Sequence, residues 1–220
     1  MKIAMPFQGQ KLKGIADVVF VLDASGSMSS VIEAVRNHID AFVASINAAQ
    51  GPRIDMRLGL VVHATSIDSP KSILAYPFTE DVKKFRSWLA EGRSGGDEFT
   101  LPAIDRALDF PWRSPCRRFV IAFTDEPVGG GDQSGLQESR VRELLDKIKN
   151  LRAHTYLLAP ACPVYDYMGR SEPLVMRLTL NSSELATFDF AKFLTALGAT
   201  VTSTTQSESP KSYLPNLYNL

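Results

Sequence analysis

Apolar positions along this chain fall into two alternating rhythms. From Ala16 to Leu22 they run almost unbroken (Ala16-Asp17-Val18-Val19-Phe20-Val21-Leu22) and are rich in β-branched residues, the pattern of a strand covered on both faces. The run stops at Asp23. From Ser29 to Ala49 the apolar residues Val31, Ile32, Val35, Ile39, Phe42, Val43 and Ile46 recur at spacings of three and four, the stripe of an amphipathic helix. The two segments together predict a β–loop–α unit.

Arg57–Ala64 reads as a second strand and Ile73–Phe78 as a third. The connection between them is too short for a crossover helix, so this pair is expected to run antiparallel. Thr79 or Asp81 can cap a helix that carries Val82, Phe85, Trp88 and Leu89 and ends near Gly92. After a loop over residues 93–98 comes a helix with Leu101, Ile104, Ala107 and Leu108, then a buried strand, Phe119–Phe123. Gly129-Gly130-Gly131-Asp132 reads as a flexible loop before a helix from about Leu136 to Leu151 and a strand over Thr155–Leu158. Leu174–Leu180 is expected to be a final strand, Phe188–Leu197 a closing helix, and Ser203–Leu220 a tail or surface strap.

Strands alternating with helices predict an α/β fold: a doubly wound, mostly parallel sheet with one antiparallel edge strand and helices on both faces. Residues 1–14 read as a lead, 15–200 as one domain and 201–220 as a tail.

Composition narrows the classes of function. Of 220 residues 45% are hydrophobic and 22% charged, enough to bury a full core. The 24 basic residues balance 24 acidic ones, which argues against nucleic acid as the main ligand. No segment has the apolar length of a signal peptide or a membrane span, so no membrane association and a cytosolic location are expected. The two cysteines, Cys116 and Cys162, flank different strands at opposite ends and are expected to be reduced.

Candidate chemistry gathers at strand ends. Asp23-Ala24-Ser25-Gly26-Ser27 sits where the first strand gives way to the first helix, and Thr124-Asp125 ends a later strand at the same edge of the sheet. In open α/β sheets that edge binds ligands, above all between strands whose connections leave in opposite directions. If the two strands are neighbours, Asp23, Ser25, Ser27 and Asp125 converge, with Gly26 easing the turn. An all-oxygen set suits a hard cation, Mg²⁺ first and then Mn²⁺ or Ca²⁺, and neutral hydroxyl ligands leave the ion much of its charge. Read alone, the first motif also serves as a helix cap with turn hydroxyls. His38, His63 and His154 lie on helix or strand patterns and read as surface or core residues; Trp88 and Trp112 read as packing residues.

Asp23-x-Ser25-x-Ser27, then Gly95-Gly96-Asp97, then Phe123-Thr124-Asp125, resembles the metal-ion-dependent adhesion site of von Willebrand factor A domains, over roughly Ile15 to Thr200. The resemblance implies that Ser25 and Ser27 ligate the ion directly while Asp23 and Asp125 act through water. It further implies that a threonine of the middle loop completes the set and that an acidic side chain of a protein partner fills the last position. This chain departs from that pattern by having Asp97 after the two glycines, with Thr100 further on, and either residue can complete the set. Gly95-Gly96-Asp97-Glu98 looks like the loop of a mostly bacterial branch of the family. Asp97 as a direct ligand would hold the metal more tightly and leave it less attractive to an acidic partner. Asp97 reads equally well as a loop residue and Thr100 as the N-cap of the next helix, while Glu98 and Glu126 read as rim charges.

The expected function is therefore a metal-dependent protein-interaction module, a monomer on its own and not an enzyme. The alternatives are a non-catalytic regulatory subunit of an ATPase or kinase complex and, with less support, a metal-dependent phosphoesterase. No phosphate-binding loop, nucleophile elbow or paired-histidine zinc motif occurs in the sequence.

Overall fold

The computed structural model describes residues 14–47, 54–63, 73–91, 99–128, 140–180 and 182–206. Six strands form one sheet in the order β3-β2-β1-β4-β5-β6. They are β1 (Gly14–Asp23), β2 (Ile54–His63), β3 (Leu74–Thr79), β4 (Arg117–Phe123), β5 (Ala153–Ala159) and β6 (Val175–Thr179). All neighbours pair parallel except β3 on β2, which is antiparallel, as the short connection requires. β3 is an edge strand that contains Pro77, and its register with β2 shifts between Leu58 and Leu60. The chain moves outward from β1 through β2 to one side and from β4 through β6 to the other, so the order reverses between β1 and β4.

Strand alternation sends β1 side chains to two cores. Ala16, Val18, Phe20 and Leu22 meet α1 (Ser29–Asn47), α2 (Val82–Leu89) and α7 (Phe190–Gln206) on one face. Val19 and Val21 meet α3 (Thr100–Leu108), α4 (Val141–Leu151) and α5 (Pro163–Ser171) on the other. A further short helix, α6 (Ser182–Thr187), precedes α7. Asp81 caps α2 as expected, its Oδ1 accepting from the backbone N–H groups of Lys83 and Lys84. Trp88 stacks on Tyr76 and Trp112 packs edge-on to Phe78, both as packing residues.

Three expectations need correction. Thr100 is not a cap: it is the first residue of α3 and is buried, while Phe99 holds the N-cap position without a side-chain bond. Helix α5, between β5 and β6, and helix α6, between β6 and α7, occupy stretches to which the hydrophobic pattern gave no element, while β6 falls within the expected strand Leu174–Leu180. The closing helix continues to Gln206, so residues 203–206 are helix and not tail. Gly198 sits where this helix crosses α1: a Cβ there would lie 1.8 Å from the Ser45 Oγ and 2.9 Å from the Phe42 carbonyl oxygen of α1. Only the missing side chain lets α7 lie this close to α1.

Away from the ligand edge, Asp17 is wholly buried near the start of β1 and accepts from Arg57 Nε and Nη2 and from the backbone N–H and Nε of Arg113. Both cysteines are free. Burial first, and then the negative charge of Asp17, pushes the Cys116 thiol up to about 11, which keeps it protonated and unreactive.

His154 lies on β5, stacked 5.3 Å from the Phe119 ring. Burial first, and the charge of Arg117 second, hold it down to about 4 from an ordinary 6.5. The unfolded chain therefore binds a proton that the fold rejects between those values, and stability is lost as pH falls from about 6.5 towards about 4. The loss from this group is expected to reach at most about 3 kcal/mol. Thermal melts at pH 7 and pH 4.5, in chelator, should show a smaller acid shift for His154→Phe than for the parent; equal shifts would discount the group.

Candidate functional site

The reversal between β1 and β4 places the ends of those strands side by side, with Leu22 opposite Phe123. On the other flank Asp23 lies opposite His63 of β2. Asp23 is wholly buried, and both of its carboxylate oxygens are engaged. The backbone N–H of Ser25 donates to Oδ1 at 2.8 Å and the Thr124 hydroxyl donates to Oδ2 at 2.9 Å. Thr124 in turn accepts from the backbone N–H of Glu126 at 3.2 Å. One carboxylate thus holds the first turn and the end of β4 in a fixed relation.

After Ser25 the chain enters a single 3₁₀ turn, Gly26–Met28, which runs into α1. Neither serine caps it: Ser25 makes no side-chain cap bond. Instead the Ser25 and Ser27 hydroxyls lie 3.0 Å apart, and the Ser27 hydroxyl donates to Asp125 Oδ1 at 3.1 Å, across 98 positions of sequence. The serine hydroxyls thus face an oxygen cluster, while Asp23 makes a local turn bond to the Ser25 N–H. Gly26 is not required by this turn. Its backbone lies outside the left-handed region and a Cβ would meet nothing within 4 Å.

Ser25, Ser27, Asp125 and Asp23 are brought together as the sequence implied. Glu126 is half-buried beside them, and its carboxyl is raised by burial first and then by the charges of Asp125 and Asp23. Asp97 and Glu98, with Gly95 and Gly96, lie outside the described residues, as do Gly129–Asp132. Among the described residues no three histidine, cysteine or acidic side chains cluster as metal ligands.

Hydroxyl and carboxylate oxygens are the donor set a hard cation such as Mg²⁺ takes, and Ser25, Ser27 and Asp125 present three of them within hydrogen-bond distance of one another.

Two residues at the site had no role assigned from sequence. Thr124 was visible as part of Thr124-Asp125, but its bond to Asp23 spans 101 positions and depends on strand order. His63 is wholly buried, and its Nδ1 accepts the Phe99 backbone N–H at 3.3 Å, which puts the proton of the neutral ring on Nε2. Nε2 has no partner among the described residues. Burial lowers the affinity of this ring for a second proton, and Asp23 acts in the opposite sense. The signal in the sequence was a polar residue closing an apolar strand, the same sign that marked Asp23.

A doubly wound sheet with hydroxyls and carboxylates at its point of reversal defines the class: an α/β domain whose ligand edge is built from oxygen donors. The sequence profile described as von Willebrand factor type A domain matches residues 18–128, just over half of the chain, and the chain belongs to that family. The alpha-protein kinase vwkA of Dictyostelium discoideum is 21% identical over 142 residues, which are 63% of this chain and 23% of that protein. This chain therefore spans less than a quarter of that relative. Among solved structures, the pilus adhesin SpaC of Lactobacillus rhamnosus GG superposes with a TM-score of 0.62 at 15% identity, covering 90% of this chain and 32% of that one. Proximal thread matrix protein 1 from the mussel byssus gives 0.56 at 13% identity, covering 84% and 46%. At such identities these two likenesses establish the fold alone. No helix among the described residues is long and apolar enough to cross a membrane.

Proposed function

We propose that this domain grips a protein partner through a divalent cation, Mg²⁺ before Mn²⁺ or Ca²⁺, at a metal-ion-dependent adhesion site, and that it is not an enzyme. The observation that carries the reading is the line of oxygens from Ser25 through Ser27 to Asp125, spaced at 3.0 and 3.1 Å. Ser25, Ser27 and Asp125 would hold the ion, with Asp97 as a further carboxylate from the loop before α3. Asp23 fits a supporting role, since both of its oxygens already accept hydrogen bonds; it fixes the serine turn and adds negative charge. When bound, the cation supplies Lewis-acid attraction for an acidic side chain of the partner. Two neutral hydroxyls among its ligands would leave that attraction only partly quenched. Glu98 and Glu126 would sit at the rim. The mostly bacterial branch of the family and a cytosolic setting remain part of this reading.

Against chemistry, the imidazole beside the site, His63, is sealed from solvent and turns a lone pair to the Phe99 N–H, so it is not offered to a substrate as a base. A second reading, a non-catalytic subunit of a kinase or ATPase complex, draws support from the similarity to part of an alpha-protein kinase. It differs in requiring one fixed, stoichiometric partner.

The test is capture from the native cell by immobilised chain, in Mg²⁺ and in chelator, with Ser25→Ala plus Ser27→Ala as control. A partner is expected in Mg²⁺ only, and none on the double variant. Capture indifferent to chelator and to the substitutions would overturn the reading, as would phosphoester turnover by pure chain that Ser25→Ala abolishes.

A further inference from the structure

A cavity of about 280 Å³ opens beside the serine turn, between α1 and the C-terminal end of α2. Leu22, Val62, Ile32, Trp88 and Leu89 form its apolar wall, and Ser25 and Gly26 form its lip. Charged groups line it as well: Arg36 and Glu33 of α1, which pair with one another at 2.8 Å, and Glu91, which accepts from the Tyr76 hydroxyl. We infer that this cavity is the second half of the recognition site and takes one large aliphatic or aromatic side chain of the partner, next to the residue whose carboxylate reaches the cation. The inference rests on the metal-dependent grip proposed above and specifies the partner's chemistry.

Size and position choose the occupant. At about 280 Å³ the cavity lies at the bottom of the range of about 300–1,000 Å³ for cofactor and drug-sized clefts and has room for one large side chain. The charged groups that line it are already engaged, Glu33 with Arg36 and Glu91 with the Tyr76 hydroxyl. The Ser25 lip is itself part of the oxygen cluster, so the two subsites share a residue. Consecutive residues of an extended peptide advance about 3.3 Å, so a side chain one or two positions from the acidic residue spans the distance between adjoining subsites. The carboxylate supplies attraction that depends on the metal. The apolar side chain supplies attraction that does not, and it distinguishes one acidic segment from another.

The two halves can be separated by filling the cavity from Ala90, which lines it but belongs to neither the serine turn nor the carboxylate set. Short random peptides displayed on phage are selected on the parent chain and on Ala90→Phe, each in Mg²⁺ and in chelator, with Ala90→Leu as a milder variant and circular dichroism to confirm folding. On the parent, Asp or Glu within two positions of Leu, Ile, Met or Phe is expected, and selected peptides should bind Ala90→Phe about ten-fold more weakly, the effect of excluding one such side chain. Mn²⁺ affinity should be unchanged by the substitution. An apolar preference that survives in both variants, acidic peptides without an apolar neighbour, or no enriched sequence at all would overturn the cavity's role. Loss of the acidic preference itself, or its persistence in chelator, would instead count against the metal-dependent grip.

Discussion

Replacing Asp23 by alanine is expected to weaken divalent-cation binding at least 10- to 100-fold, the range seen when groups that orient metal ligands are removed. Asp23 is wholly buried and holds two donors, the Ser25 N–H at 2.8 Å and the Thr124 hydroxyl at 2.9 Å. Without it the serine turn and the end of β4 lose their shared anchor, and one negative charge leaves the corner. Asp23→Asn should fall between the two, because its amide oxygen can still accept one of the donors while its NH₂ group cannot accept the other. Titration with Mn²⁺ followed by electron paramagnetic resonance measures this directly. An Asp23→Ala affinity within about three-fold of the parent would remove Asp23 from any part in a metal site.

The largest expected effect on stability lies at the other end of the same strand. Asp17→Ala would leave the guanidinium groups of Arg57 and Arg113, only 22% and 21% exposed, without the carboxylate that both contact. Breaking a buried ion pair from one side costs about 3–5 kcal/mol, and the partial exposure of both arginines puts this case near 3. For a domain of this size that corresponds to a fall in Tm of roughly 6–12 °C. Metal affinity should not change. Burial alone would raise the Asp17 carboxyl, yet the bonds from Arg57 and Arg113 outweigh it and hold the group below its ordinary value. Its contribution is therefore complete above about pH 4 and disappears as pH falls through the lowered value. Asp17→Ala should accordingly flatten the acid limb of the stability curve, and a Tm within about 2 °C of the parent would show that the arginines find other partners.

The two carboxylates of β1 also show what a sequence can and cannot disclose. Asp23 was legible because it closes an apolar run beside a hydroxyl-rich turn, a local pattern. Asp17 sits inside the same run, and its partners lie 40 and 96 positions away, so nothing local marks it. The sheet and its antiparallel edge followed from strand spacing, and the meeting of β1 with β4 was stated as a condition that the strand order satisfies. Helix α5 was missed although Pro163 at its first turn is a start signal, because only Tyr165 and Met168 of its nine residues are buried. The final turns of α7 read as tail because Thr200, Val201, Thr202, Ser203, Thr204 and Thr205 favour other conformations. In place, the Thr200 and Thr202 hydroxyls donate to carbonyls one turn back, at Ala196 and Gly198, and the packing of Gly198 on α1 settles the matter.

Pro77 on the outermost strand carries one more consequence. Proline has no N–H to offer, and the shift in pairing opposite Leu58 and Leu60 disturbs the strand at nearly the same level. Another polypeptide laid along this margin would find its row of main-chain bonds broken near the middle. Sheets that end this way resist stacking margin to margin into fibres, and whatever attaches here must be recognised by side chains, not by extending the weave.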